Sequence, residues 1–415
     1  MSKEAISVSL RAARRLTVTK QHLTGKLPAK PSGEDVVSMV RDLCYVQWDP
    51  IDAVAPSHVI ALWSRLGNFL LSDLDRLLWK EKKLFLHWTP IASIVLTEDY
   101  PIYSSLMRRY PESLSHSWGG NMRRARKFLA EHGWLRKRVL GELKKGPMQL
   151  TQFQDYVRTS RTDGWSSGSD VSNMLFYLMM SGEVMVVGHQ GLQNIWGLTR
   201  GFLPEEVMRK ELSEAEFERE ASQRALLSLG TATPREIHLY FPRGRYRHLE
   251  KTLEDLLRES KIHRVRVEGL GRKGEQYVHD RDVRLLESID SEDREPRLSI
   301  LAPFDNLLTD RGRTNRLFGF DYIHENFLPE SKRKFGTFVH PILWGDKLIG
   351  RIDLRMDKEK RKLIAISVHA EPDAPKDKQV AAKIRESIQG LAEFLGAKEV
   401  EYTSRLPRTW KSSLR

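Results

Sequence analysis

The stretch Val46-Gln47-Trp48-Asp49-Pro50 sets an amide and a carboxylate two residues apart. In extended backbone successive side chains alternate faces, so Gln47 and Asp49 are expected to project together. Cys44, Val46 and Trp48 would share the opposite face, which is apolar and suits a core. A carboxylate held this way can take a proton from water, or stabilise positive charge developing at a sugar carbon. An amide beside it can hold that water by donating and accepting hydrogen bonds. Such a pair suffices to release a cationic alkylated purine, because that leaving group is already activated and needs no strong general acid. Read from the residues alone, the two more simply finish the end of a strand.

Other chemistries find less support. A single cysteine, Cys44, leaves no internal disulfide and no multi-cysteine metal site. The 13 histidines are scattered, with no pair at helical metal-ligand spacing, so no metal site is expected. Gly269-Leu270-Gly271-Arg272-Lys273-Gly274 resembles a glycine-rich phosphate loop, but the flanking pattern makes it the turn between two strands. Neither a nucleophile elbow nor a kinase signature occurs.

The elements that must position the Gln47/Asp49 pair are helical. Leu10, Ala13 and Leu16, and then Val36, Met39, Val40 and Leu43, recur at helical spacing, with Ser32 and Asp35 as the start of the second helix. Cys44 to Asp49 reads as a short extended segment closed by Pro50. Further helices are expected near Ala61–Leu66, Ser72–Trp79 and Met122–His132.

Beyond this region the order of elements repeats. Helices over Trp134–Lys144, Gln152–Val157 and Ser169–Met180 lead through Gly182 into a hairpin of Val184–Val187 and Gln193–Leu198. Ser213 and Glu216 form a capping box for a helix to Leu229, followed by helices at Pro234–Leu239 and Tyr246–Ser260. A second hairpin joins His263–Val267 to Glu275–Val278. Three helices and a hairpin, twice over, give the element order of tandem winged helices. Acidic residues from Glu287 to Glu295 read as a linker. Short apolar alternations at Leu298–Leu301, Thr337–Leu343, Lys347–Leu354 and Lys362–Val368 then imply a small sheet or barrel. A helix over Asp377–Leu395 and a strand at Glu399–Tyr402 complete the pattern. The expected fold class is therefore α+β, with tandem winged-helix domains followed by a small C-terminal β-barrel-like domain. Boundaries fall at 1–132, 133–200, 201–290 and 291–415.

The 415 residues carry a formal net charge of +13, which favours a polyanionic partner through release of counterions from nucleic-acid phosphates. A basic balance also occurs in proteins without such a partner. Its distribution adds something: Arg243, Arg245 and Arg247 cluster before one helix, and Arg264, Arg266, Arg272 and Lys273 fall on the second hairpin, where DNA phosphates would be met. No apolar run is long enough to span a bilayer. Residues Met1 to Lys20 lack an apolar stretch with a cleavage site, so a cytoplasmic, nucleoid-associated location is expected.

A longer signature lies further on: Leu301-Ala302-Pro303-Phe304-Asp305-Asn306-Leu307-Leu308-Thr309-Asp310-Arg311, then Arg316 to Tyr322, Pro329, Lys332-Arg333 and Gly336. Pro341-Ile342-Leu343, Gly345-Asp346 and Gly350-Arg351-Ile352-Asp353 follow in order. Together with Lys20 to Gly25, Ser57-His58 and Leu62 to Gly67, this closely resembles the AlkZ/YcaQ winged-helix DNA glycosylases. The resemblance implies three tandem winged helices and a β-barrel-like domain wrapped around double-stranded DNA. It implies excision of alkylated bases of the N7-alkylguanine type, with unhooking of interstrand crosslinks in some members. It also implies a catalytic Gln-x-Gln or Gln-x-Asp motif, which Gln47-Trp48-Asp49 matches in its Asp form. Asp49 would then act on water, Gln47 would position it, and His58 would be an active-site neighbour. No cofactor or lyase step is implied, and a chain that encircles DNA can act as a monomer. Two positions depart from the family's habit: Pro56 stands where Arg often precedes the Ser-His pair, and Trp88-Thr89-Pro90 lacks a His seen in many members. The alternative is a non-enzymatic winged-helix protein, either a transcription regulator or a repair scaffold.

Overall fold

Ser9 and Ser32 open the first two helices, because each side chain accepts a hydrogen bond from a first-turn amide that has no partner within the helix. Helix Leu10–Lys20 buries Ala12, Ala13, Leu16, Thr17 and Val18. Helix Gly33–Leu43 carries a capping box with Asp35 and buries Val36, Val37, Met39, Val40 and Leu43. The Ser32 hydroxyl and amide hold the Asp35 carboxyl below its ordinary range. The computed structural model describes residues 4–89, 91–112, 119–153, 170–291, 295–403 and 405–414. They divide into two units, Met1–Leu71 with Arg224–Ile237 and Asp255–Arg415, and Ser72–Gln223 with His238–Glu254.

The first unit contains two sheets. In the smaller, the strand order is Ile6–Val8, Ile262–Val267, Glu275–His279, Thr231–Ala232. Ile6–Val8 runs parallel to Ile262–Val267, with Ile6 opposite Val265 and Val8 opposite Val267. Val8, Ala13, Leu16, Val265, Val267, Val278, Leu286 and Ile289 form its core. The expected acidic linker is therefore ordered at its start: helix Val283–Ser288 and buried Ile289 belong to this core, while residues 292–294 lie outside the described residues. Gly271–Gly274 is a short 3-10 turn between the antiparallel strands Ile262–Val267 and Glu275–His279, in agreement with a hairpin turn.

The larger sheet has the order Leu298–Ile300, Val339–Trp344, Lys347–Asp357, Lys362–Ala370, Glu399–Tyr402. It curls as a half-barrel whose outermost strands among the described residues are Leu298–Ile300 and Glu399–Tyr402, in keeping with the barrel-like sheet expected from the short alternating strands. Register shifts at Ile342/Leu343 and Asp353/Leu354 sit where bulges increase local bend. Helix Lys378–Phe394 buries Val380, Ala381, Ile384, Ile388, Leu391 and Ala392. At Gly350 a β-carbon would lie 2.5 Å from the His369 carbonyl oxygen, so only glycine allows Trp410 to pack there. Another core links the sheet to the end of the first helix through Val18, Leu23, Leu301, Leu307, Leu308, Phe320, Tyr322, Leu343 and Leu348.

The second unit begins with the expected helical segment, Leu71–Asp75 continued by a π-helical turn at Arg76–Lys80. It goes on with elements that apolar periodicity does not announce: a hairpin of Leu84–Trp88 and Ala92–Leu96, then helix Tyr100–Met107. Both strands are almost wholly buried, so the alternation that marks a half-buried strand is missing. Helices Gly119–Glu131, Gly133–Leu143 and Asp170–Met180 follow. Strands Val184–Gln190 and Gln193–Leu198 form a hairpin that Met148–Gln149 joins as a third strand. Leu135, Val139, Leu143, Val171, Met174, Leu175, Leu178 and Val184 make its core. The expected helix at Gln152–Val157 starts as a 3-10 turn, Leu150–Gln152, and its remainder lies outside the described residues.

Candidate active site

Helix Gly33–Leu43 ends at Cys44, whose φ of 67° is rare for a residue with a β-carbon. The reversal turns the chain into a strand of only two residues, Val46–Gln47. Asn306 holds this corner from the other end of the sequence: its Nδ2 donates to the carbonyls of Tyr45 at 2.9 Å and Leu43 at 3.5 Å, on either side of Cys44. The extended segment expected from Cys44 to Asp49 is therefore shorter, and Asp49 stands beyond it. Cys44 and Val46 are buried as expected for the apolar face, but Trp48 is only half-buried. Its ring stacks on His58 instead, with centroids 4.2 Å apart and planes 15° apart.

Asp49 is 8% exposed, and its Oδ1 accepts the backbone N–H of Ile51 at 3.0 Å. Burial pushes its carboxyl above the ordinary carboxylate range, and the Ile51 hydrogen bond opposes this less strongly. The loop after Asp49 is fixed to the long strand Lys347–Asp357. The Met356 amide donates to the Ala53 carbonyl at 2.8 Å, and beyond the strand Lys358 pairs with Asp52. Pro56 then caps helix Ser57–Leu66, its preset φ of −50° lying just outside the helix and its carbonyl accepting the Val59 amide at 2.9 Å. The Phe304 amide donates to the Ser57 hydroxyl at 3.4 Å.

These segments border a small cleft. Asp49, Ile51, Ala53, Val54, Ala55 and Ser57 line one part, and Pro303, Phe304, Phe338 and His340 the other. Gln47 is half-buried and is not among these lining residues. The His340 ring donates through Nδ1 to the Leu301 carbonyl at 3.0 Å, and burial lowers its pKa to about 4. It is therefore neutral at pH 7. A carboxylate with one backbone donor and no cation in the lining is more basic than an ordinary one, suited to polarising a water molecule. His58 is 4% exposed and stacks on Trp48, and neither is among the residues lining the cleft.

The basic residues divide by exposure. Arg264 and Arg266 alternate with buried Val265 and Val267 and stand on the exposed face of their strand, with Arg266 4.0 Å from Glu275. Arg272 and Lys273 lie in the turn, and their side chains fall outside the described residues. In the other unit Arg247 is exposed and sits 3.4 Å from Glu214, whereas Arg243 is half-buried. Arg245 is sequestered enough for burial to lower its pKa to about 10. Trp88 packs edge-on against Phe176 in that unit, and Pro90 lies outside the described residues.

Residue-by-residue reading missed Phe304, Phe338 and His340, because they follow the pair by some 250 positions or more. It also missed Arg65, whose guanidinium makes two bonds to Asp305, at 2.7 and 2.8 Å. The signal was present in the long ordered signature: Phe304 lines the cleft, Asp305 pairs Arg65, and Asn306 holds the strand corner. Among the described residues no group of three His, Cys, Asp or Glu side chains could hold a metal ion, and no helix is long and apolar enough to cross a membrane.

A family model described as DNA glycosylase AlkZ-like matches residues 40–394. Among solved structures, the chain is similar to the Streptomyces sahachiroi DNA glycosylase AlkZ, with a TM-score of 0.65 and 17% identity. That likeness covers 97% of this chain and 100% of the other, and it shows a shared mixed α+β fold.

Proposed function

The chain belongs to the AlkZ-like DNA glycosylase family, and from that premise we propose that it hydrolyses the N-glycosidic bond of N7-alkylguanine-type bases in double-stranded DNA. The observation that carries this reading is the Asp49 carboxylate, buried beside a mostly apolar cleft with one backbone donor and a raised pKa. Asp49 accepts a proton from water as the oxygen attacks the anomeric carbon. The bond to the base breaks, and its electron pair neutralises the cationic ring. Gln47 positions the water or the deoxyribose, and His58 fixes Trp48 between the two. The product is an abasic site without strand cleavage, so the enzyme is monofunctional.

A base tethered to the opposite strand cannot be drawn into a deep pocket. A shallow site suits such a substrate, so the reading extends to unhooking of interstrand crosslinks. Exposed Arg264, Arg266 and Arg247, with Arg272, Lys273 and the half-buried Arg243 and Arg245, supply phosphate contacts. The hairpins at Ile262–His279 and Val184–Leu198 serve as wings of winged-helix modules spanning 201–290 and 133–200, beside an N-terminal module at 1–132 and a sheet domain at 291–415. The protein acts as a monomer on cytoplasmic, nucleoid DNA.

The test is base release from a duplex carrying one N7-alkylguanine, scored by alkali cleavage at the abasic site. Wild type should cleave, and Asp49→Asn and Gln47→Ala should bind without cleaving. Intact binding with no release by wild type, on this duplex and a crosslinked one, would leave a regulator or scaffold as the better reading.

A further inference from the structure

Residues 323–338 contain little regular structure beyond two 3-10 turns, Glu325–Phe327 and Glu330–Lys332, yet they are held tightly. The buried Glu325 carboxylate accepts the amides of Phe335 at 2.7 Å and Gly336 at 3.1 Å. Arg333 donates to the carbonyls of Glu325 and Leu328 and to the Thr337 hydroxyl, each at 3.0 or 3.1 Å. Asp353 accepts the amides of Thr337 and Phe338 at 3.2 and 3.3 Å. Gly336 is required here: its φ is 149°, and a β-carbon would lie 2.1 Å from Asp353 Oδ2.

A loop pinned at so many points has its backbone path fixed, and it leaves Phe327 67% exposed and Ile323, four residues earlier, 55% exposed. The exposed ring is not remote from the cleft. Phe304, which lines the cleft, stacks on His324 with centroids 4.1 Å apart, and His324 meets Phe327 edge-on at 6.4 Å. His324 is itself fixed by its Nε2 bond to the Pro303 carbonyl at 2.7 Å. Exposed Arg311, Lys332 and Lys334 belong to the same region of the chain.

We propose that Phe327 is a base-stacking contact, taking the face of an unpaired nucleobase that neighbours the nucleotide at Asp49, with Lys332 on an adjacent phosphate. The proposal rests on the reading of the Asp49 cleft as a reaction site in DNA. An aromatic ring beside cations is the combination that grips single-stranded nucleic acid, because every base offers a π face and every linkage a charge. One phenyl and one isoleucine are too little apolar area for a stable protein partner. Local strand opening at the lesion would supply the unpaired base.

The test uses the full chain with Phe327→Leu, Phe327→Trp and Lys332→Ala, on a duplex carrying a stable abasic-site analogue flanked by 2-aminopurine. Binding and 2-aminopurine fluorescence are read across salt concentrations, and base release is scored separately. Phe327→Leu keeps apolar bulk without a π face; it should lose about tenfold in affinity, together with the quenching of 2-aminopurine, at an unchanged salt slope. Phe327→Trp should restore both, and Lys332→Ala should lower the slope by about 0.9 without affecting quenching. Wild-type affinity and quenching in Phe327→Leu overturns the proposal, as does a loss that Phe327→Trp fails to restore. Stacking by a wild type that releases no base would instead support this contact while removing the glycosylase reading.

Discussion

Arg65 and Asp305 form a two-bond ion pair, Nη1 to Oδ2 at 2.7 Å and Nη2 to Oδ1 at 2.8 Å, with neither side chain exposed. Two further guanidinium donors are also used, since Nε reaches the Gln21 carbonyl at 2.9 Å and Nη1 the Ala61 carbonyl at 2.9 Å. Removing one partner leaves a charge buried without its counter-charge, which costs about 3–5 kcal/mol. Arg65→Met and Asp305→Leu should each lose about that much in urea unfolding. The double variant should lose less than the sum of the two, because it buries no lone charge. Additive losses would mean that the pair contributes no coupling.

Asp49 should show the opposite behaviour. Burial raises its pKa, so the folded chain binds a proton here more readily than the unfolded one, and the ionised carboxylate is a liability that grows as pH rises through that pKa. Asp49→Asn keeps an oxygen for the Ile51 amide and removes the buried charge. Its melting temperature at pH 7.5 should rise by about 2 °C, while single-turnover base release falls by about 10²–10⁴. A stability loss in Asp49→Asn would assign the carboxylate to the fold.

The same shift sets a pH profile. As general base Asp49 must be ionised, so base release should fall on the acid side at a pKa above the ordinary carboxylate range. Asp49→Asn should abolish that limb along with most of the rate. A flat acid limb down to pH 4.5 would exclude this group as the base.

Much of this arrangement was legible in sequence. The capping of the second helix by Ser32 and Asp35 and the hairpin turn at Gly269–Gly274 follow from local pattern, because caps and turns are short-range devices, whereas of the pair Gln47 and Asp49 only Asp49 lines the cleft. The partners that hold the pair are not local. The parallel register of Ile6–Val8 on Ile262–Val267 joins segments some 250 residues apart, and no periodicity in a three-residue strand announces it. Trp48 was expected in the core because alternation was carried two residues too far. The strand stops at Gln47, and the freed indole stacks on His58.

Acid should weaken the unit that carries the cleft. His340 is buried, and its pKa of about 4 lies below the ordinary 6.5, as does that of His324, also about 4. A histidine depressed in the folded state contributes stability that is complete above pH 6.5 and is lost as pH falls towards 4. Each such group accounts for about 3 kcal/mol over that window. Urea unfolding at pH 7 and pH 4.5 should show the loss. His340→Asn, which can still donate to the Leu301 carbonyl, should flatten it in part, since His324, His279 and His369 of the same unit are also lowered by burial.

Asn306 offers the sharpest separation of fold from chemistry. Its amide spans the carbonyls of Leu43 and Tyr45 and so sets the corner from which Gln47 and Asp49 project. Asn306→Ala leaves two buried carbonyls short of a donor, at a cost of about 1–3 kcal/mol. That is tolerable for a chain of this size, but a reacting group displaced by about 1 Å can lose on the order of a hundredfold in rate. Base release under saturating enzyme should fall by about that factor, while affinity for the lesion duplex and its salt slope stay unchanged, because no phosphate contact is touched. Asn306→Asp should not rescue it, since a carboxylate cannot donate to either carbonyl and would repel both. Wild-type rates in both variants would show that the corner is held without Asn306, through Cys44 and the helix end alone.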